Sequence, residues 1–199
     1  MTVIGIVGFK GSGKGTIGDY LVSEHGFSED SFANSLKDAV SSIFGWDRNL
    51  LEGHTKNSRE WREQADEWWS NRLGYNVTPR SILQKFGTDV MRNNFHNDVW
   101  IYSLERRIKS NNVVITDCRF SNEIELIRKL NGKIWQVNKG PDPDWFNYKT
   151  YTFFPDFMKE QHPEVHESEW RWCQETPDAI VENNGTIIDL YKKIEGLMQ

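Results

Sequence analysis

Gly8 to Thr16 reads GFKGSGKGT. Four glycines, two lysines and two hydroxyls within nine residues suit one task, the holding of phosphate. Gly8, Gly13 and Lys14 fit G-x-x-x-x-G-K. The glycines let the backbone curl so that successive N–H groups face one anion. A helix beginning at the loop adds its positive end. Lys14 can then reach the β- and γ-phosphates of a nucleotide. An ordinary Gly-rich turn before a helix would use similar residues. The order around the loop favours phosphate, because the β-branched run Val3–Val7 precedes it and Ile17, Tyr20 and Leu21 follow at helical spacing. The dinucleotide pattern G-x-G-x-x-G does not fit, since Gly11, Gly13 and Gly15 are wrongly spaced. The candidate nucleotide contacts are Gly8, Lys10, Gly11, Ser12, Gly13, Lys14, Gly15 and Thr16.

Gly15 stands where such a loop usually has Ser or Thr for Mg²⁺. The first hydroxyl moves to Thr16, nearer the expected α-phosphate. Magnesium must then be held by nucleotide phosphates, water and a carboxylate elsewhere. Asp117 offers that carboxylate, through water, at the end of the apolar run VVIT. Arg119 beside it can clamp phosphate with a two-pronged contact. The alternative for the two is a strand-end salt bridge. Glu123, one turn on, either fixes Arg119 or is a solvated helix charge.

Phosphoryl transfer needs positive charge around the moving group. Arg59, Arg62, Arg80 and Arg92 supply candidates, each equally readable as a surface ion pair. Gln84 follows Arg80 by one helical turn, so Arg80 can hold a monophosphate while Gln84 reads a base edge or makes a helix–helix hydrogen bond. Trp68 and Trp69, with Trp61 before them, could stack a base but more often such residues are core. His166 and Glu169 belong to a flap over the site or cap a local turn.

These groups need a frame. Strands are expected at 3–7, 113–116, 133–137 and 179–182. Helices are expected at 14–24, 31–44, 58–72, 79–94, 100–109 and 122–130, with a last helix capped by Thr186. The stretch 141–177 shows little periodicity. Alternating strands and helices imply a parallel sheet flanked by helices, with its site at the carboxyl ends of the strands. Gly8 and Asp117 both fall at such ends.

The 199 residues suffice for one domain. A net charge of -5 argues against a protein gripping nucleic acid through a broad basic face. Cys118 and Cys173 lack metal-ligand spacing and read as reduced thiols of a cytosolic protein. The histidines form no ligand cluster, and no apolar run approaches a membrane span.

The GKGT ending resembles that of adenylate kinase and other nucleoside monophosphate kinases. The whole chain resembles the bacteriophage deoxynucleoside monophosphate kinases. GFKGSGKGT, LKDAVSSIFGW, PRSILQKFGTDVMRNNF, VVITDCRFSNE, HESE and NNGTIIDLYKKI carry the resemblance, in order, through nearly the full length. It implies an α/β P-loop kinase fold of three layers, spanning 1–199 as one domain. An acceptor-binding helical region would occupy about 45–110, and a lid or insertion about 141–176. It implies ATP and Mg²⁺, and a deoxynucleoside 5'-monophosphate (dNMP) phosphorylated to the diphosphate, supplying DNA precursors in the cytoplasm of a phage-infected cell. The acceptor would lie near Lys37, Arg80, Gln84, Asp117 and Arg119, and Lys14, Asp117, Arg119 and Arg80 would carry the transfer. Relative to the large T-even form, this chain is shorter mainly between the second helix and Pro79. No nucleic acid or membrane partner is expected, and a homodimer is left open. The alternatives are a P-loop kinase for dephospho-coenzyme A or a sugar acid, a non-catalytic ATP-binding regulator, and a DNA-end kinase.

Overall fold

The computed structural model describes residues 2–109 and 112–199. The chain divides into two compact units. One runs to Ser31 and resumes at Ile108–Gln199; the other is Phe32–Arg107.

The first unit is built on five parallel strands, β1 (Thr2–Val7), β2 (Ser28–Asp30), β3 (Asn112–Ile115), β4 (Lys133–Asn138) and β5 (Ala179–Glu182). Their order is β2-β3-β1-β4-β5. Central β1 is buried from Val3 to Val7, which explains its unbroken apolar run. One face of the sheet packs on α1 (Lys14–His25) and α9 (Ile187–Met198). There Ile4, Ile6 and Trp135 meet Ile17, Leu21, Leu190 and Ile194. The other face carries α7 (Ser121–Lys129). A Cβ on Gly5 would lie 2.3 Å from Ile127 Cδ1, so a larger residue there would force the Ile127 side chain to shift. The result is the three-layer α/β fold. Thr186 caps α9 as expected, accepting from Asp189 N–H while Asp189 accepts from Thr186.

Parallel pairing brings every strand's carboxyl end to one edge. Gly5 is level with Ile115, Val7 with Gln136, Asp30 with Ile115, and Asn138 with Glu182. Ser31, Gly8, Thr116, Lys139 and Asn183 therefore follow directly on that edge.

The second unit is helical: α2 (Asn34–Phe44), α3 (Lys56–Glu63), α4 (Glu67–Leu73), α5 (Pro79–Gln84), a π-helical segment (Lys85–Arg92) and α6 (Val99–Arg107). Thr78 and Ser81 form a capping box around Pro79.

Four expectations need correction. Residues 28–30 form a strand, and the second helix starts at Asn34; three polar edge residues give no periodic signal. The helix expected over 58–72 is two, because Asp66 turns out of helical geometry to cap α4, accepting from Trp69 N–H, and also takes Trp46 Nε1–H. The 79–94 helix widens into π geometry at Lys85. There a Cβ on Gly87 would lie 2.7 Å from Leu36 Cδ2, and the Gly87 carbonyl accepts from Trp100 Nε1–H. The 141–177 stretch contains α8 (Phe154–Gln161) and three 3₁₀ turns. Its order comes from buried Trp145, Phe146, Phe154, Met158, Trp170 and Trp172 rather than from a repeat.

Candidate active site

The loop after β1 is shaped by its glycines. Gly8, Gly11 and Gly13 have φ of 144°, 83° and 105°, which side chains rarely adopt. A Cβ on Gly8 would lie 2.5 Å from the Val137 carbonyl oxygen. At Gly11 and Gly15 an added Cβ would meet nothing within 4 Å. The backbone thus presses on β4 at Gly8 and lies open at Gly11 and Gly15.

Within the loop, Ser12 N–H donates to Phe9 O and Ile17 N–H to Gly13 O. The N–H groups of Gly11, Gly13, Gly15 and Thr16 meet no hydrogen-bond acceptor among the described residues. The Ser12 hydroxyl is buried, also without a partner. Buried polar groups are normally satisfied. Orphan donors on an open loop at a helix start are what an oligophosphate requires.

Lys14 Nζ folds back on the loop, donating to Gly8 O (2.7 Å) and Phe9 O (2.8 Å). Burial depresses its pKa to about 8. The Arg119 charge pushes the same way, and Glu169 and Asp117 oppose it. Phosphate would provide the missing counter-charge. Lys10 is exposed.

Phe9 pins the loop from outside. Its ring meets Trp145, Phe146 and Trp172 edge-on at 5.6, 5.2 and 5.0 Å. The 141–176 stretch thereby holds the backbone carbonyl that receives Lys14. Phe9→Ala is expected to cost on the order of 2–3 kcal/mol, somewhat below a fully buried phenylalanine, and to weaken nucleotide binding. Denaturant unfolding and ATP titration of the variant test both.

At the end of β3, Asp117 Oδ2 accepts from Ser31 Oγ–H at 2.6 Å. The Ser31 contact comes from the end of β2, the short strand that periodicity does not reveal. Among the described residues no three His, Cys, Asp or Glu side chains form a metal cage. A single carboxylate fits Mg²⁺, which usually keeps its waters and shares one or two carboxylates with substrate phosphates. Cys118 beside it is buried, and burial raises its pKa well above the ordinary value. It remains a thiol.

Arg119 is anchored on the 3₁₀ turn at Glu167–Glu169 rather than on Asp117. Its Nη1 donates to Ser168 O (3.1 Å) and Glu169 Oε1 (2.9 Å). Glu123 is no solvated charge. It is buried and accepts from the backbone N–H of Arg119 (2.7 Å) and of Phe120 (3.1 Å), closing the first turn of α7. Glu123→Ala strands those donors. It should cost about 2 kcal/mol and lower kcat through Arg119, read from thermal unfolding and steady-state turnover. His166 caps the Glu167–Glu169 turn. Its Nδ1 lies 2.9 Å from Ser168 Oγ and accepts from Ser168 N–H at 3.3 Å. Of the two roles open to it, the cap is the one formed.

In the helical unit, Lys37 Nζ donates to Glu52 Oε2 at 2.5 Å, and Arg48 bonds the other oxygen of the same carboxylate. Burial pushes Glu52 up, but Lys37 and Arg48 outweigh it and hold it at about 2. Arg80 lies 3.6 Å from Glu63. Gln84, one turn on, makes no side-chain hydrogen bond among the described residues, so the helix–helix bond is not formed. Arg59 donates to the His54 carbonyl, and Arg62 to the Leu51 carbonyl. Arg92 is buried and donates to Asn97 O, a structural use. Trp69 packs on Phe44 at 4.7 Å, whereas Trp68 is 57% exposed and so is not core.

A glycine-shaped phosphate loop between β1 and α1, on a parallel sheet of this order with a carboxylate and an arginine at the next strand end, defines a P-loop phosphotransferase. The model of the family Deoxynucleotide monophosphate kinase matches residues 52–144. A protein of Acanthamoeba polyphaga mimivirus, provisionally named deoxynucleotide monophosphate kinase, is 30% identical over 98% of this chain and 94% of its own. The deoxynucleoside-5'-monophosphate kinase of Escherichia phage T5 is 41% identical over 28% of this chain and 23% of its own. The chain belongs to the deoxynucleotide monophosphate kinase family. Among solved structures, TT1252 from Thermus thermophilus covers 99% of this chain and 96% of its own at 16% identity and a TM-score of 0.47. A shikimate kinase from Aquifex aeolicus covers the same shares at 14% identity and 0.45.

Proposed function

We propose that the protein transfers the γ-phosphoryl group of ATP in line to the 5'-phosphate of a deoxynucleoside monophosphate. The single observation that carries the donor side is the set of unpartnered loop N–H groups with buried Ser12 Oγ and Lys14. Gly8 to Thr16 would hold the ATP phosphates, with Lys14 on β and γ. Mg²⁺, held by phosphates and by water on Asp117, would supply further positive charge. Arg119 would offset charge on the moving group, leaving Glu169 for phosphate. Lys37, Arg59, Arg62, Arg80 and Gln84 in the Phe32–Arg107 unit would recognise the acceptor, whose phosphate would compete with Glu52 for Lys37. No general base is needed, since a monophosphate is ionised near neutral pH. The 141–176 stretch would shield the transfer from water, which otherwise hydrolyses ATP.

A coupled ADP-release assay with ATP, Mg²⁺ and each of dAMP, dGMP, dCMP, dTMP and their ribose forms tests this reading. Turnover with at least one dNMP is expected. ATP binding without turnover on any of them would sink it, and dephospho-coenzyme A and sugar acids would become the acceptors to try.

A further inference from the structure

The residue after β5 has no part in the mechanism above, yet it touches the phosphate loop. Asn183 is buried, 8% exposed. Its Nδ2–H donates to the Ser12 carbonyl at 2.8 Å, across 171 residues of sequence. Its own backbone N–H donates to Asn138 O, so its position is set by the ends of β4 and β5. The neighbouring Asn184 accepts from Gly140 N–H, which ties the same two strand ends again.

A trans peptide points its C=O and N–H in opposite directions. Holding the Ser12 carbonyl toward Asn183 therefore aims the Gly13 N–H away from β5, and that N–H has no acceptor among the described residues. The fit is close on both sides. A Cβ on Gly13 would lie 2.4 Å from Asn183 Nδ2. Gly13 is thus required by Asn183 as well as by its φ of 105°. The Ser12 hydroxyl, with no partner, does nothing to hold this peptide, so the carboxamide is what holds it.

We propose that Asn183 is a positioning residue for the donor: it orients the Ser12–Gly13 peptide so that Gly13 N–H faces the bound oligophosphate. This rests on the phosphate-loop reading of Gly8–Thr16. Asn183→Asp keeps the size but cannot donate, and a carboxylate facing the Ser12 carbonyl favours the flipped peptide. Asn183→Ala removes the donor without adding charge.

The test is calorimetric titration of wild type, N183D and N183A with inorganic tripolyphosphate and with ATP, beside the KM for dNMP at saturating ATP. Both variants should bind tripolyphosphate and ATP about 10- to 100-fold more weakly, the scale of one hydrogen bond to a charged group. The dNMP KM should stay within about twofold. Tripolyphosphate has no adenosine, so a loss confined to ATP would mean a nucleoside contact and would overturn the inference. Unchanged tripolyphosphate affinity in both variants would overturn it too, as would equal losses for donor and acceptor, the pattern of a merely structural role. Failure of the wild type to bind tripolyphosphate would remove the phosphate-loop reading itself, and the inference with it.

Discussion

Lys14→Ala is expected to lower kcat/KM for dNMP-dependent ADP formation by about 10²- to 10³-fold, the range for losing one preorganised contact to developing charge. The Lys14 ammonium is fixed inside the cradle by its bonds to Gly8 O and Phe9 O. Full activity in the variant would refute the scheme. The pH dependence follows from its pKa of about 8 against an ordinary 10.5. A lysine depressed on folding opposes the folded state while it is charged there. That penalty is fully present below about 8 and is relieved as pH rises toward 10.5. Lys14→Met should therefore raise the Tm of the nucleotide-free protein at pH 7. Bound polyphosphate favours the charged form and draws the pKa back up. At pH 9, ATP binding should take up a fraction of a proton, and affinity should fall as pH climbs above 8. Calorimetry in buffers of different ionisation enthalpy measures that uptake directly; none at pH 9 would show that Lys14 does not meet the phosphates.

Arg119→Ala should cost a similar factor, about 10²-fold or more in kcat, with a smaller effect on ATP affinity. The guanidinium already pairs with one carboxylate, Nη1 donating to Glu169 Oε1 and to the Ser168 carbonyl, and an incoming phosphate would compete for that pairing. Arg119→Lys keeps the charge but loses the planar fork, so it should recover only part of the rate. The pH profile separates this from misfolding. Arg119 is the largest charge lowering the Lys14 pKa. Its removal should move the alkaline fall of ATP affinity to higher pH. An unchanged pH profile with normal kcat would leave Arg119 as a strut for the Glu167–Glu169 turn.

The donor side was legible in the sequence because its physics is local. Glycines at 8, 11 and 13 are demanded by left-handed backbone, and Lys14 follows them at the start of a helix, so spacing alone carries the motif. Strands β1, β3 and β4 were readable as mostly buried apolar runs, since a parallel sheet covered on both faces tolerates little else; β5, an edge strand with only Val181 buried, was readable from its short Ala-Ile-Val run. Asp117 and Arg119 were expected at a strand end, and they follow β3 there. The roles of Ser31 and Asn183 were not legible. Ser31 follows a polar three-residue strand with no periodicity, and Asn183 has the sequence character of an ordinary turn residue. Burial decided both Glu123 and Arg92: of the two readings open to Glu123 the structure forms the one that fixes Arg119, and Arg92 donates to a backbone carbonyl.

The sequence by itself determined the phosphate loop, the family and the alternation that makes the sheet parallel, because each depends on residues adjacent or at fixed spacing. The tertiary structure alone decided which far-apart groups share a hydrogen bond or a ring contact. It set Ser31 on Asp117, Glu169 on Arg119, the Trp145–Phe146–Trp172 aromatics on Phe9, and Asn183 on Ser12. Parallel pairing gathers five strand ends on one edge, and the register that brings them level is fixed by packing across the sheet, which no local stretch of sequence encodes.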